Sequence, residues 1–124
     1  MKALHTKSAL AAIGPYSQAI EVNGFVFASG QIPIDPATGE FVEGGIKEQT
    51  RQALTNAAHT MAEAGIDLSH VVKTTVFLAD MADFAAMNEV YSTFFKEPFP
   101  ARSAVAVKAL PKGALVEVEC VGAK

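Results

Sequence analysis

The chain has 124 residues, half of them hydrophobic and 19% charged, with a formal net charge of −3. This length and composition suit one packed domain spanning residues 1–124 and exclude a disordered or fibrous chain. The acidic balance speaks against a nucleic-acid partner, which selects a basic face. The single cysteine, Cys120, allows no internal disulfide and no thiolate zinc cluster, and it suits a reducing, cytoplasmic setting.

In chain order, Lys2–Thr6 reads as a short edge strand. The apolar run Ala9 to Ile13 is broken by Gly14-Pro15 and is too short for a signal peptide or a membrane span, so the start reads as mature fold with no membrane association. Ser17–Val22 and Phe25–Ser29 flank Asn23-Gly24, a pair that predicts a tight hairpin because both central residues of a type I′ turn need positive φ. Asp35-Pro36-Ala37-Thr38-Gly39 has loop chemistry. A helix is predicted from about Ile46 to Ala64, with Ile46, Ala53, Leu54, Ala57, Met61 and Ala64 on one apolar stripe and Gly65 as its stop.

Val71–Ala79 is β-branched and aromatic and reads as a strand. Asp80 is the expected N-cap of a second helix running to about Phe95, with Phe84, Met87, Tyr91 and Phe94 inward and Pro98 and Pro100 ending it. Arg102–Val107 and Leu115–Val121 are the last strands, joined through Pro111-Lys112-Gly113. The order is that of an α+β domain. Phe25 and Phe27 oppose Val26 and Ala28, and Val72, Val76 and Leu78 oppose Val71 and Phe77, so these strands are apolar on both faces. Two helices cover one face only, and the simplest partner for the other is a second copy of the chain.

The chemical inventory is sparse. There is no phosphate-binding loop, no dinucleotide fingerprint and no nucleophile elbow, and His5, His59 and His70 lack metal-ligand spacing. No metal and no cofactor are therefore expected. His59 falls on the wet helix face, and Cys120 falls on the core side of its strand with Val116 and Val118. Only two arginines occur. Arg51 lies on a polar helix face, whereas Arg102 opens a strand after Phe99-Pro100-Ala101. A guanidinium in such a stretch calls for an anionic partner. Position alone leaves open whether that partner is Glu117 or Glu119, which share a strand face, or the carboxylate of a substrate. Ser29-Gly30-Gln31 ends a strand with small and polar groups, where a ligand can approach backbone N–H groups or where the chain simply turns.

Several stretches together carry a resemblance. Gly14-Pro15-Tyr16-Ser17-Gln18-Ala19, Phe27-Ala28-Ser29-Gly30-Gln31-Ile32-Pro33, Gln49-Thr50-Arg51-Gln52-Ala53-Leu54, Val72 to Leu78, Met87-Asn88-Glu89-Val90-Tyr91, Pro100-Ala101-Arg102-Ser103, Leu110-Pro111-Lys112 and Val116-Glu117-Val118-Glu119 stand in the order found in the Rid (reactive intermediate deaminase) family. They cover nearly the whole chain, and the arginine in its strand resembles the RidA branch. The resemblance implies a chorismate-mutase-like domain, a mixed sheet with two helices on one face, assembled as a homotrimer with sites between subunits. It implies hydrolysis of 2-iminobutanoate and 2-iminopropanoate, small carboxylated imines, to 2-keto acids and ammonia. Carried over by position, Arg102 holds the substrate carboxylate, Glu117 orients the attacking water, Tyr16 lines the pocket, Ser29 and Gly30 contact substrate or water, and Asn88 supports the cleft. The family often has cysteine two residues after the arginine. Here Ala104 stands there, leaving only backbone contacts. Two other readings remain beside it: a non-catalytic, carboxylate-binding regulatory trimer, and an RNA-cleaving translation inhibitor, which the acidic balance and the lack of a basic aromatic stripe disfavour.

Overall fold

A computed structural model describes all residues, Met1–Lys124. The strands are β1 (Lys2–Leu4), β2 (Ala19–Val22), β3 (Phe25–Ala28), β4 (Ile34–Asp35), β5 (Glu40–Phe41), β6 (Val71–Leu78), β7 (Ala101–Ala106) and β8 (Val116–Ala123). The helices are α1 (Ile46–Ala62) and α2 (Phe84–Tyr91). Six strands form one mixed sheet in the order β1-β2-β3-β8-β6-β7, in which only β6 and β7 run parallel. Parallel neighbours need a crossover, and α2 supplies it.

The Asn-Gly expectation holds. Asn23 and Gly24 both take positive φ, 51° and 80°, between the antiparallel strands β2 and β3. α1 starts where the Gly45 N–H donates to Glu48 Oε2 at 2.9 Å, so a carboxylate also faces the positive end of the helix. Its stripe of Ala53, Leu54, Ala57 and Met61 is fully buried, with the helix packed against β3 and β8. Burying a side chain such as Leu54 contributes roughly 1.5–3 kcal/mol. Met87 and Tyr91 anchor α2 in the same core.

Five sequence expectations need correction. α1 ends at Ala62, and α2 covers Phe84–Tyr91 rather than continuing to Phe95. The turn at Asp80 is tight: its carboxylate accepts from the Ala82 N–H, and a short 3₁₀ turn at Met81–Asp83 precedes α2. The loop around Asp35–Gly39 is the tip of a small hairpin, β4–β5, too short to show a strand pattern in the sequence. Finally, β6 is irregular between Val71 and Lys73. This bulge resets the alternation, so Val71, Thr74, Val76 and Leu78 are buried on the helix side while Val72 is exposed.

Both helices pack on one face of the sheet. The other face carries Phe25, Phe27 and Val105, which stay 44–46% exposed. No helix is long and apolar enough to cross a membrane.

Candidate functional site

Arg102 and Glu117 are both placed by β6. Arg102 on β7 stands beside Thr74, and Glu117 on β8 stands beside Phe77. Thr74 and Phe77 are three residues apart in one strand, so their side chains leave opposite faces. Arg102 therefore projects to the helix side and Glu117 to the open side.

On the helix side, Arg102 Nη1 donates to Asn88 Oδ1 of α2 at 2.6 Å. Its guanidinium carbon lies 4.7 Å from the Tyr91 ring centroid and 5.4 Å from that of Phe84. Stacking of this kind suits the planar, weakly hydrated guanidinium. Tyr91 is itself held by Thr74, the two hydroxyls lying 2.7 Å apart in the core. The chain of support thus runs from β6 through Tyr91 to Arg102. Arg102 takes part in no salt bridge. The ion pair with Glu117 or Glu119 that the sequence left open is ruled out, because both glutamates leave the far face of the sheet. Arg102, Asn88, Tyr91, Ser92, Phe99 and Pro100 line a cavity of about 400 Å³.

On the open side, Glu117 forms part of a second cavity of about 320 Å³, with Tyr16, Ser29 and Gly30 beside the apolar Leu10, Ile13 and Ile32. Gly30 leaves the room in which the Glu117 carboxylate sits. A Cβ there would lie 2.7 Å from Glu117 Oε2. The Gly30 N–H finds no acceptor within the chain, so it is free to bind a ligand. Ser29 is partly committed, since its hydroxyl donates to the Ser17 carbonyl at 2.6 Å. Tyr16 is 52% exposed at the cavity rim. Burial, and secondarily the charge of Glu119, raises the Glu117 carboxyl above the usual range. That brings it towards the pH at which a base works best. Cys120 lies buried behind this strand, its thiol pushed up to about 12, mainly by burial, so it is inert.

The structure therefore gathers the expected residues into two sets. Tyr16, Ser29, Gly30 and Glu117 share one cavity, and Asn88 and Arg102 share the other. Ala104 lines neither; it packs half-buried against the core on the Arg102 side of β7.

Three buried amides that the sequence reading did not single out position the first set. Asn56 of α1 donates through Nδ2 to the carbonyls of Ile32, at 3.2 Å, and Ile34, at 2.9 Å. Gln49 accepts from the Leu115 N–H at 2.8 Å, just before Glu117. Gln18 accepts from the Thr6 N–H and donates to the carbonyls of Thr6 and Leu10, closing the segment that carries Leu10 to Tyr16. His59 lies 2.6 Å from the Ser8 carbonyl and tethers the same segment to α1. For Gln49 and Asn56 the available signal was an amide inside an apolar helix pattern, because a buried amide must find partners.

A mixed sheet with both helices on one face, and an arginine cavity and a glutamate cavity on opposite faces, define a small α+β protein of the Rid type. The chain belongs to the family described as Endoribonuclease L-PSP, also known as the Rid or RutC family, whose model matches residues 6–124. It is 54% identical over 121 residues to a RutC family protein of Pyrococcus abyssi, covering 98% of this chain and 95% of the relative. It is 49% identical over 120 residues to the 2-iminobutanoate/2-iminopropanoate deaminase of Mus musculus, covering 97% of this chain and 89% of the relative. Among solved structures, a candidate endoribonuclease from Thermotoga maritima superposes with a TM-score of 0.97 at 47% identity, over 100% of this chain and 98% of that one.

Proposed function

We propose that this protein hydrolyses small imines carrying a carboxylate, 2-iminobutanoate and 2-iminopropanoate, to 2-keto acids and ammonia, as a homotrimer with sites between subunits. The observation that carries the reading is Arg102. Its guanidinium is stacked, oriented by a neutral amide and matched to no protein carboxylate. A fork presented in this way fits an incoming carboxylate. The deaminase name of the mouse relative supports the same class of substrate.

The homotrimer reading rests on two features. Phe25, Phe27 and Val105 leave an apolar sheet face uncovered. The arginine and glutamate cavities cannot serve one ligand within one chain, whereas a rotation-related copy can bring the first against the second.

The reaction needs little machinery. The imine carbon is electrophilic, and Arg102 fixes the carboxylate next to it. Glu117 holds a water against that carbon and takes its proton as the new C–O bond forms. The free Gly30 N–H steadies the adduct. Glu117 returns that proton to the nitrogen, then takes the proton of the adduct's hydroxyl and passes it to the nitrogen as well, so that the C–N bond breaks, ammonia leaves and the carbonyl of the keto acid remains. A site that only binds carboxylates gains nothing from Glu117, since an anion there repels the ligand. The RNA-cleaving reading has the family's description in its favour and the net charge of −3 against it.

The test generates the enamine in place with an amino-acid dehydratase and times keto acid release. Release should quicken in proportion to added protein. An unchanged rate, with the protein folded and oligomeric, would remove the deaminase reading, and cleavage of a labelled RNA under the same conditions would favour the alternative.

A further inference from the structure

The turn Pro111–Ala114 carries two consecutive residues with positive φ, Lys112 at 56° and Gly113 at 74°, and the Ala114 N–H donates to the Pro111 carbonyl at 3.1 Å. This is the type I′ geometry of Asn23-Gly24. At Asn23 the chain uses the residue that tolerates the left-handed region. At position 112 it holds a lysine there, which is disfavoured. A disfavoured backbone that persists beside a cavity points to a demand on the side chain.

Lys112 lines the Glu117 cavity and is the only cationic residue that does. It is exposed and joins none of the salt bridges. The cavity it borders is hostile to anions. Glu117 lines it, Glu119 lies on the same strand face, and the chain as a whole is acidic. A carboxylated substrate must pass these charges, and like charges slow encounter.

We infer that Lys112 is a substrate-capture residue: its ammonium, carried on the left-handed turn that borders the Glu117 cavity, draws the anionic imine past the two glutamates. The inference rests on reading that cavity as half of the imine site. It deepens that reading by assigning capture to a residue separate from the carboxylate fork and the base.

The experiment compares Lys112→Arg, Lys112→Gln, Lys112→Glu and Lys112→Gly in the intact oligomer. It reads imine hydrolysis at low and high salt, calorimetric binding of 2-oxobutanoate as a product probe, and melting temperature. At low salt, kcat/KM should fall about three- to tenfold in the Gln variant and further in the Glu variant, with kcat within about twofold, since one exposed charge acts on encounter. The Arg variant should match the parent, and the differences should shrink at high salt, where exposed charges are screened. Lys112→Gly should melt higher, because the strain is gone, yet lose capture as the Gln variant does. A lysine that merely serves the turn would give the higher melting temperature with unchanged kcat/KM, which overturns the inference. Should the parent hydrolyse imines while neither turnover nor probe binding follows the charge at 112, the capture role falls and the deaminase reading stands. Probe binding that follows the charge in a parent without hydrolysis would leave the capture role in place and remove the deaminase reading. Absence of both hydrolysis and probe binding in the parent overturns both.

Discussion

Arg102 and Glu117 leave opposite faces of one sheet, fixed by their registers beside Thr74 and Phe77 of β6. Each is well built for a ligand, yet within one chain they cannot meet the same one. A rotamer change does not bridge a sheet, so only an interface between copies can bring the two to one ligand.

Arg102→Lys separates a substrate fork from a structural cation. Lysine keeps the charge but loses the planar stacking on Tyr91 and the bond that the guanidinium makes to Asn88. A charge-assisted hydrogen bond is worth about 1.5–3 kcal/mol, so kcat/KM should drop roughly ten- to a hundredfold. The melting temperature should move little, because no protein carboxylate is left unpaired. A destabilised oligomer with full turnover per folded site would refute the fork.

Glu119→Gln tests the electrostatics at Glu117, the proposed base. Glu117 is raised first by burial and then by Glu119. If Glu117 works ionised, the acid limb of kcat/KM follows its titration, and removing the neighbouring charge must lower it. The limb should therefore move to lower pH in Glu119→Gln, with the plateau kept. Stability follows the same sign. A carboxyl raised in the folded state carries a penalty that sets in as pH climbs from its unfolded to its folded titration and is complete above both. Glu117→Gln removes that penalty and should be at least as stable as the parent at neutral pH while turning over slowly. An acid limb that does not move would dissociate Glu117 from the pH profile.

Gly30→Ala should harm turnover more than folding. The added methyl would meet the Glu117 carboxylate, the movable end of a side chain, rather than backbone. The side chain can swing away, so the melting temperature should stay close to that of the parent while the base is displaced. A misplaced catalytic group costs on the order of a hundredfold. Parental turnover in this variant would show that the Glu117 position is not critical.

How much of this was legible in the sequence differs by level. The Asn23-Gly24 hairpin, the α1 stripe and the core-facing Cys120 follow from short periods and turn chemistry, and the structure has them. The bulge after Val71 does not, because one extra residue reverses every later side chain and no residue type marks it. The residue types of the site were legible, but not their separation. Which face Arg102 takes depends on its parallel register with β6, a non-local fact. The buried Asn56, Gln49 and Gln18 are not legible, because polar residues on a helix or loop read as solvated until their carbonyl and amide partners, 8 to 66 residues away, are placed.

Mixing two inactive variants tests the central claim most directly. Chains bearing Arg102→Ala and chains bearing Glu117→Gln are denatured together, refolded as hybrids and assayed for imine hydrolysis against each variant refolded alone. If every site takes its arginine from one copy and its glutamate from the next, random assembly restores both groups in about a quarter of the sites, and activity should return to about that share of the parent. Hybrid oligomers that form yet stay as inactive as either variant alone would contradict a site shared between subunits.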